Sequence, residues 1–156
     1  MSRETWHVPC SVARSCCLQL LGFIIDCPDP PRLATFYSGV TSRDLMEGSS
    51  DNFAGITFGE VDLGFQRVED YRPTRWLNNE HPKQYHLDFE VDLIEAKQRR
   101  VNELGATLHQ DFLGSDGYGW QVYTDPIGHP FCLCRNQGVS WTVAYARRNR
   151  PVGVFL

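Results

Sequence analysis

The sequence predicts an α+β fold made of two tandem βαβββ modules. Both halves of the chain contain a strand, a helix and then two or three further strands. Matching points in the halves have similar spacing: His86 follows Gly22 by 64 residues, and Cys132 follows Gln66 by 66. Two near-equal spacings over half of the chain indicate an internal duplication. The length of 156 residues suits one compact domain or two small modules that share a core.

The first module is predicted over residues 18–75. Its opening strand is "CLQLLGFIID", which is mostly apolar. A helix follows, because Asp29 is a good N-cap and the two prolines after it fit a first helical turn. The segments "FAGITFGE" and "VDLGFQRV" then predict a hairpin.

The second module is predicted over residues 80–136. It opens with the strand "QYHLDFEV" and continues with the helix "DLIEAKQRRVNELGA", which has Gly105 at the C′ position. Three more strands are predicted, in the segments "TLHQDF", "GWQVYTD" and "PFCLCR".

The opening strand of the second module has one apolar and one polar face. Side chains alternate along a strand, so His86, Asp88 and Glu90 share a face. The opposite face is apolar and suits packing against a helix. An imidazole and two carboxylates in a row favour a wet cavity, a metal or a substrate on their side.

Composition excludes several classes of protein. The net charge of −4 argues against a nucleic-acid-binding surface. No stretch has the roughly 18 apolar residues that a membrane span needs. Residues 1–17 lack an apolar signal core and are expected to be a disordered leader or an arm on a partner, and residues 137–156 form a C-terminal tail. We therefore expect a cytoplasmic protein.

The six cysteines do not form a recognisable metal or disulfide pattern. No CxxC pair occurs, and a disulfide framework would suit a shorter secreted chain. Most of the cysteines are expected to be reduced and partly buried. Cys132 and Cys134 are two residues apart in one strand and share a face.

Three segments carry a family resemblance. "IIDCPDPPRLATFY", "HLDFEVDLIEAKQRRVNELGA" and "WQVYTDPIGHPFCL" resemble the vicinal oxygen chelate superfamily, which includes glyoxalases, bleomycin-resistance proteins and dioxygenases. "LGFQRVEDYRPTRWLNNEHPKQYHLD" is most similar to its glyoxalase-like branch. The resemblance covers residues 18–136. It implies curved sheets around a shared cavity, helices on the convex side, a small-molecule ligand and a homodimer.

The resemblance also implies a divalent metal site with two ligands from each module. The matching positions are Gly22, Gln66, His86 and Cys132. Gly22 offers no side chain, and Cys132 replaces the usual glutamate and favours zinc or copper over magnesium. The metal-ligand prediction is therefore His86, Gln66 and Cys132, with Asp88 as a replacement ligand; the other expectation is that no cofactor binds.

His86 has more than one interpretation. It is expected as a hydrogen-bonded cavity residue, as a metal ligand, or as the acid–base partner of Asp88, whose carboxylate would raise its basicity. His129 is a second candidate, and because it lies in a turn, a solvated or turn-capping role is favoured for it.

Aromatic residues predict a ligand cavity. Phe65, Trp76, Trp120 and Tyr123 would line it, with Gln66 orienting the ligand. In the alternative, Trp120 packs in the core and Trp76 pins the connection between the modules.

The sequence thus leaves three functions open. The first is a glyoxalase-like lyase or isomerase with His86 and Asp88 as catalytic residues, and the second is a non-catalytic protein of the bleomycin-resistance type that sequesters a small molecule. The third is a structural or regulatory partner-binding domain with a closed cavity and no affinity for small molecules. No GxSxG, P-loop or GxGxxG motif occurs, so hydrolase, nucleotide-triphosphatase and dinucleotide-binding functions have no support.

Overall fold

The structure is a computed structural model that describes residues 19–73 and 85–135. The predicted leader, the C-terminal tail and Trp76 lie outside the described residues. The elements in chain order are β1 (Gly22–Cys27), α1 (Pro30–Thr41), β2 (Phe53–Phe58), β3 (Val61–Arg67), β4 (Leu87–Glu90), α2 (Ile94–Glu103), β5 (Thr107–Asp111), β6 (Gly119–Thr124) and β7 (Pro130–Arg135).

The two halves form sheets of the same topology. The first sheet has the order β1-β3-β2 and the second the order β4-β7-β6-β5, and in each the opening strand runs parallel to the closing strand. The second sheet has a fourth strand, β5, next to β6. At the corresponding position next to β2, the first sheet has a single β-bridge between Leu45 and Ile56. The predicted α+β fold of two βαβββ modules is confirmed, with a reduced strand in the first module.

The helix boundaries follow from the local sequence. The Asp29 carboxylate accepts a hydrogen bond from the backbone N–H of Arg32 at 3.1 Å, and Pro30 and Pro31 occupy the first turn. After α2, Gly105 has a φ of 99°, a left-handed conformation that glycine adopts without steric cost.

Both sheets contribute to one hydrophobic core beneath the helices. The Tyr37 ring of α1 stacks on Phe65 of the first sheet at 5.3 Å and meets Phe131 of the second edge-on at 6.3 Å. These side chains are fully or almost fully buried. In the described part of the chain, no helix is long and apolar enough to cross a membrane.

The side of each sheet that faces away from the helices and the core is called its outer face. Because paired residues share a face, the outer face of the second sheet carries Asp88, Glu90, Trp120, Val122, Cys132 and Cys134. Val122 and Cys132 are buried but do not belong to the hydrophobic core cluster, which agrees with this assignment. The outer face of the first sheet carries Ile24, Asp26 and Gln66.

Strand pairing corrects the predicted correspondence between the modules. Gln66 pairs with Asp26, and Cys132 pairs with Asp88. If Gln66 and Cys132 are equivalent, Asp88 corresponds to Asp26, and His86 then corresponds to Ile24 and not to Gly22. The predicted alignment of the two opening strands is therefore wrong by two residues. The position of each opening strand is set by its pairing with the closing strand of its sheet, and not by its distance in sequence from the helix that follows.

Candidate functional site

Three side chains of the second module converge at its outer face. His86 lies just before β4, and its Nε2 is 3.2 Å from Oδ1 of Asp88. Cys132 on β7 is the direct partner of Asp88 across the parallel pair of strands. One ligand atom from each of the three lies within 4.8 Å of the other two. We call these residues the His–Asp–Cys group.

The group is reachable from solvent on one side. The side chains of His86 and Asp88 are 25% and 21% exposed, whereas Cys132 is 4% exposed. The thiol therefore lies at the bottom of the group, and the imidazole and carboxylate lie at its rim. A small molecule or an ion approaching the outer face would meet the rim first.

The surroundings of the group are acidic on one side and aromatic on the other. Two residues further along the same two strands, Cys134 pairs with Glu90. Burial, with added repulsion from the charges of Asp88 and Glu90, raises the pKa of the Cys134 thiol to about 12. On β6, Trp120 pairs with Cys134, and its ring lies 5.2 Å from that of Phe112.

The three donors suit a thiophilic divalent cation. Around tetrahedral zinc, bond lengths of about 2.0–2.3 Å place neighbouring donor atoms about 3.5 Å apart. Each pair of donor atoms reaches this spacing with a contraction of at most about 1.3 Å, since the donor atoms all lie within 4.8 Å of one another. The sequence predicted His86 and Cys132 as ligands and Asp88 as a replacement ligand, and the structure brings one donor atom of each within 4.8 Å of the others.

Gln66, the other predicted ligand, lies in the first sheet. Its side chain belongs to the exposed outer face of that sheet, next to Asp26 on β1 and Phe53 on β2. Gly22 cannot be replaced by a ligand without a shift of the backbone, because a Cβ there would lie 2.6 Å from the backbone oxygen of Asp62.

The predicted aromatic lining is redistributed. Phe65 and Tyr123 have no exposed surface and belong to the core on the helix-covered faces, which corrects the expectation that they line the cavity. Trp120 is half-buried on the outer face of the second sheet. Trp76 lies outside the described residues. Of the three aromatic candidates that the structure describes, Trp120 is the one that shares a face with the His–Asp–Cys group.

His129 belongs to a buried network at the β6–β7 turn. Its Nδ1 is 3.0 Å from Oδ2 of Asp125, and its Nε2 is 2.9 Å from the backbone oxygen of Asp26 and 3.0 Å from the Tyr71 hydroxyl. Tyr37 also donates a hydrogen bond to Oδ2 of Asp125. The network joins the turn to both β1 and α1, which agrees with the turn-capping role and adds a long-range one.

Sequence reasoning missed this role of Asp125. Its side chain is fully buried, and Oδ1 accepts hydrogen bonds from the backbone N–H groups of Ile127, Gly128 and His129. The signal was the segment "DPIGH", because an aspartate two residues before a glycine-containing turn often accepts bonds from the backbone of that turn. The contacts with Asp26 and Tyr37 left no local signal.

The comparisons with known proteins agree with this architecture. A family model described as "Glyoxalase-like domain" matches residues 22–134. A glyoxalase/bleomycin resistance protein/dioxygenase family enzyme from Burkholderia phytofirmans PsJN is similar in structure, with a TM-score of 0.61 and 21% identity over 76% of this chain and 98% of that one. No curated protein sequence matches this chain significantly.

Two further solved structures share the fold. A lactoylglutathione lyase from Agrobacterium tumefaciens has a TM-score of 0.54 and 17% identity, over 78% of this chain and 97% of its own. A glyoxalase-related enzyme from Fulvimarina pelagi has a TM-score of 0.57 and 16% identity, over 76% of this chain and 88% of its own. At these identities the likeness concerns the fold alone.

Proposed function

Because this chain belongs to the glyoxalase-like domain family, we propose that it binds a small organic molecule at the outer face of the second sheet and acts on it as a lyase or isomerase. One observation carries the proposal. His86 and Asp88 form a partly exposed imidazole–carboxylate pair at 3.2 Å, with the thiol of Cys132 beside it. Pairs of this kind are typical of sites that move protons.

The pair is suited to proton transfer at a defined atom. When Nε2–H of His86 donates to Oδ1 of Asp88, the lone pair is on Nδ1. Nδ1 would then take a proton from the carbon next to a carbonyl group, and the resulting imidazolium would be stabilised by the carboxylate. Returning that proton to another atom completes an isomerisation, and expelling a leaving group completes a lyase reaction.

A divalent cation fits the same three side chains. Held by His86, Asp88 and Cys132, it would stabilise the negative charge that develops on an oxygen of the bound molecule. With the cation bound, His86 and Asp88 would act as its ligands. They would then hold the positive charge of the cation in place and would not transfer a proton.

Four further side chains are proposed to orient the bound molecule. Trp120 and Phe112 offer an apolar aromatic surface on the second sheet. Gln66 is proposed as a hydrogen-bonding residue from the first module, as is Trp76 from the connection between the modules.

Kinetics on a panel of small carbonyl compounds test this proposal. The panel would include thiol adducts of α-oxoaldehydes, the chemistry named for the structural neighbour lactoylglutathione lyase. For any substrate found, His86→Ala should reduce kcat/KM by at least 100-fold and Asp88→Asn by about 10-fold. His109→Ala is the matched control, because His109 lies on β5 near Thr124 and should leave kcat/KM unchanged. Equal turnover by wild type and His86→Ala would refute the catalytic role.

The second candidate function is non-catalytic binding. It is favoured by the first module, which has Ile24, a residue without a ligand atom, where an equivalent of His86 would lie. Stoichiometric binding of a compound that is recovered unchanged would support a sequestering protein. The homodimer expected from the resemblance also stays a proposal, and light scattering of the purified full-length chain would test it.

A further inference from the structure

We infer that the second module alone holds a thiophilic divalent cation of the zinc type, through His86, Asp88 and the thiolate of Cys132. The inference deepens the proposed function by naming the cation of the same site. It differs from the expectation of two ligands from each module, because it needs no side chain of the first module. It applies equally to an enzyme and to a binding protein.

The geometry of the His–Asp–Cys group suits a tetrahedral cation. The parallel pairing of β4 with β7 places Asp88 and Cys132 directly opposite each other on one face. The 3.2 Å between Nε2 of His86 and Oδ1 of Asp88 is close to the separation of two donors on one tetrahedral cation. Three donors and one vacant coordination position are the usual arrangement of catalytic zinc, in which water or substrate takes the fourth place.

The charge and softness of the three donors also suit a thiophilic divalent cation. One imidazole, one carboxylate and one thiolate carry two negative charges, which balance a divalent cation. Thiolate is a soft ligand, so the set should prefer zinc, cobalt or cadmium to magnesium or manganese. Loading should release one proton from the thiol of Cys132, whereas the imidazole of His86 can keep its proton on Nδ1 while Nε2 binds the cation.

The first module lacks the ligand atoms that a site shared between the modules would need. The counterpart of His86 there is Ile24, which has no ligand atom, and a side chain at Gly22 would collide with the backbone oxygen of Asp62. Among the described histidine, cysteine, aspartate and glutamate residues, the His–Asp–Cys group is the one cluster of three with donors at metal-binding distances.

Cobalt titration of the full-length apo-protein tests the inference. Cys10, Cys16 and Cys17 lie outside the described residues and would be replaced by serine in the starting protein, so that their thiols cannot contribute. We expect one Co²⁺ per chain, with the intense thiolate-to-cobalt charge-transfer absorption and strong visible bands of a tetrahedral site. Zn²⁺ should displace the cobalt stoichiometrically, and a 100-fold excess of Mg²⁺ should not.

Variants identify the ligands. Cys132→Ser should abolish the charge-transfer band, and His86→Ala and Asp88→Asn should each weaken cobalt binding at least 10-fold. Gln66→Ala should keep both the band and the affinity, and so should Cys134→Ser, the matched control on the same strand and face. Circular dichroism of each variant checks that it is folded. If Cys132→Ser does not fold, His86→Ala, which changes a partly exposed residue, carries the test.

Three results would overturn the inference: no thiolate band at saturating cobalt, a band that survives Cys132→Ser, or a band lost in Gln66→Ala. None of these measurements needs a substrate. A protein that binds cobalt as expected but converts no compound would support the inference and contradict the proposed enzymatic function.

Discussion

The carboxylate of Asp125 provides the sharpest test of how the modules are held together. Its side chain is fully buried, and it accepts five hydrogen bonds. Three come from the backbone of the β6–β7 turn, at 2.8–3.0 Å. One comes from the hydroxyl of Tyr37 at 3.1 Å and one from Nδ1 of His129 at 3.0 Å. Tyr37 belongs to α1, and the ring of His129 also contacts the backbone oxygen of Asp26 on β1. The bond from Tyr37 and the contact of His129 with Asp26 therefore connect the turn of the second module to the first module.

The expected cost of removing this group follows from those bonds. A hydrogen bond to a charged group contributes about 1.5–3 kcal/mol, but bonds that share one acceptor do not add up fully. Asp125→Ala leaves three backbone N–H groups and the Tyr37 hydroxyl without their acceptor, so we expect a loss of about 4 kcal/mol. Asp125→Asn keeps one oxygen for the turn and loses the charge, and we expect about 2 kcal/mol.

Urea unfolding at pH 7 measures these losses. Asp29→Asn is the control, because it makes the same chemical change at an exposed N-cap where asparagine caps a helix as well as aspartate does. The control should change the free energy of unfolding by less than about 0.5 kcal/mol. A loss for Asp125→Asn no larger than that of the control would refute the role assigned to the buried carboxylate.

Three further predictions concern titration and packing. Burial raises the pKa of Tyr37 well above 10.0, so its hydroxyl stays neutral in the folded chain at pH values where the unfolded chain ionises it, and the free energy of unfolding is retained below pH 10 and falls above it. In urea melts at pH 8–11, the free energy of unfolding of Tyr37→Phe should therefore fall less steeply with pH than that of the wild type. Equal slopes for the two proteins would contradict this. Burial raises the pKa of Cys27 to about 11 and that of Cys134 to about 12. At pH 8, iodoacetamide should therefore alkylate both thiols at least 10-fold more slowly than the thiol of a free cysteine peptide, as measured by mass spectrometry. Alkylation rates equal to the rate of the peptide would count against the burial of these thiols. Gly22→Ala should lose about 2 kcal/mol in urea melts, because its Cβ would lie 2.6 Å from the Asp62 oxygen, and an unchanged midpoint would show that β1 can shift.

Periodicity made most of the fold predictable. Asp29, the two prolines after it and Gly105 marked helix ends that the structure confirms. Strand alternation placed His86 and Asp88 on one face, and the structure brings them into contact. The same rule, applied to the closing strands, would have separated Phe65 from its neighbour Gln66, because adjacent residues of a strand point to opposite faces.

What the sequence could not provide is the register between distant strands. The pairing of Asp88 with Cys132 depends on how helix α2 and the strands after it return the chain to β4, which no local pattern encodes. The contact of His129 with Asp26 likewise joins residues 103 positions apart. Both are tertiary features, and they decide which donors meet in the candidate site.

Anomalous diffraction from crystals of the zinc-loaded protein tests the central claim most directly. The account predicts one zinc peak per chain on the outer face of the second sheet, bonded at about 2.0–2.3 Å to His86, Asp88 and Cys132 and to one non-protein ligand. A peak bonded to Gln66 or to another residue of the first module, or none near Cys132, would contradict it.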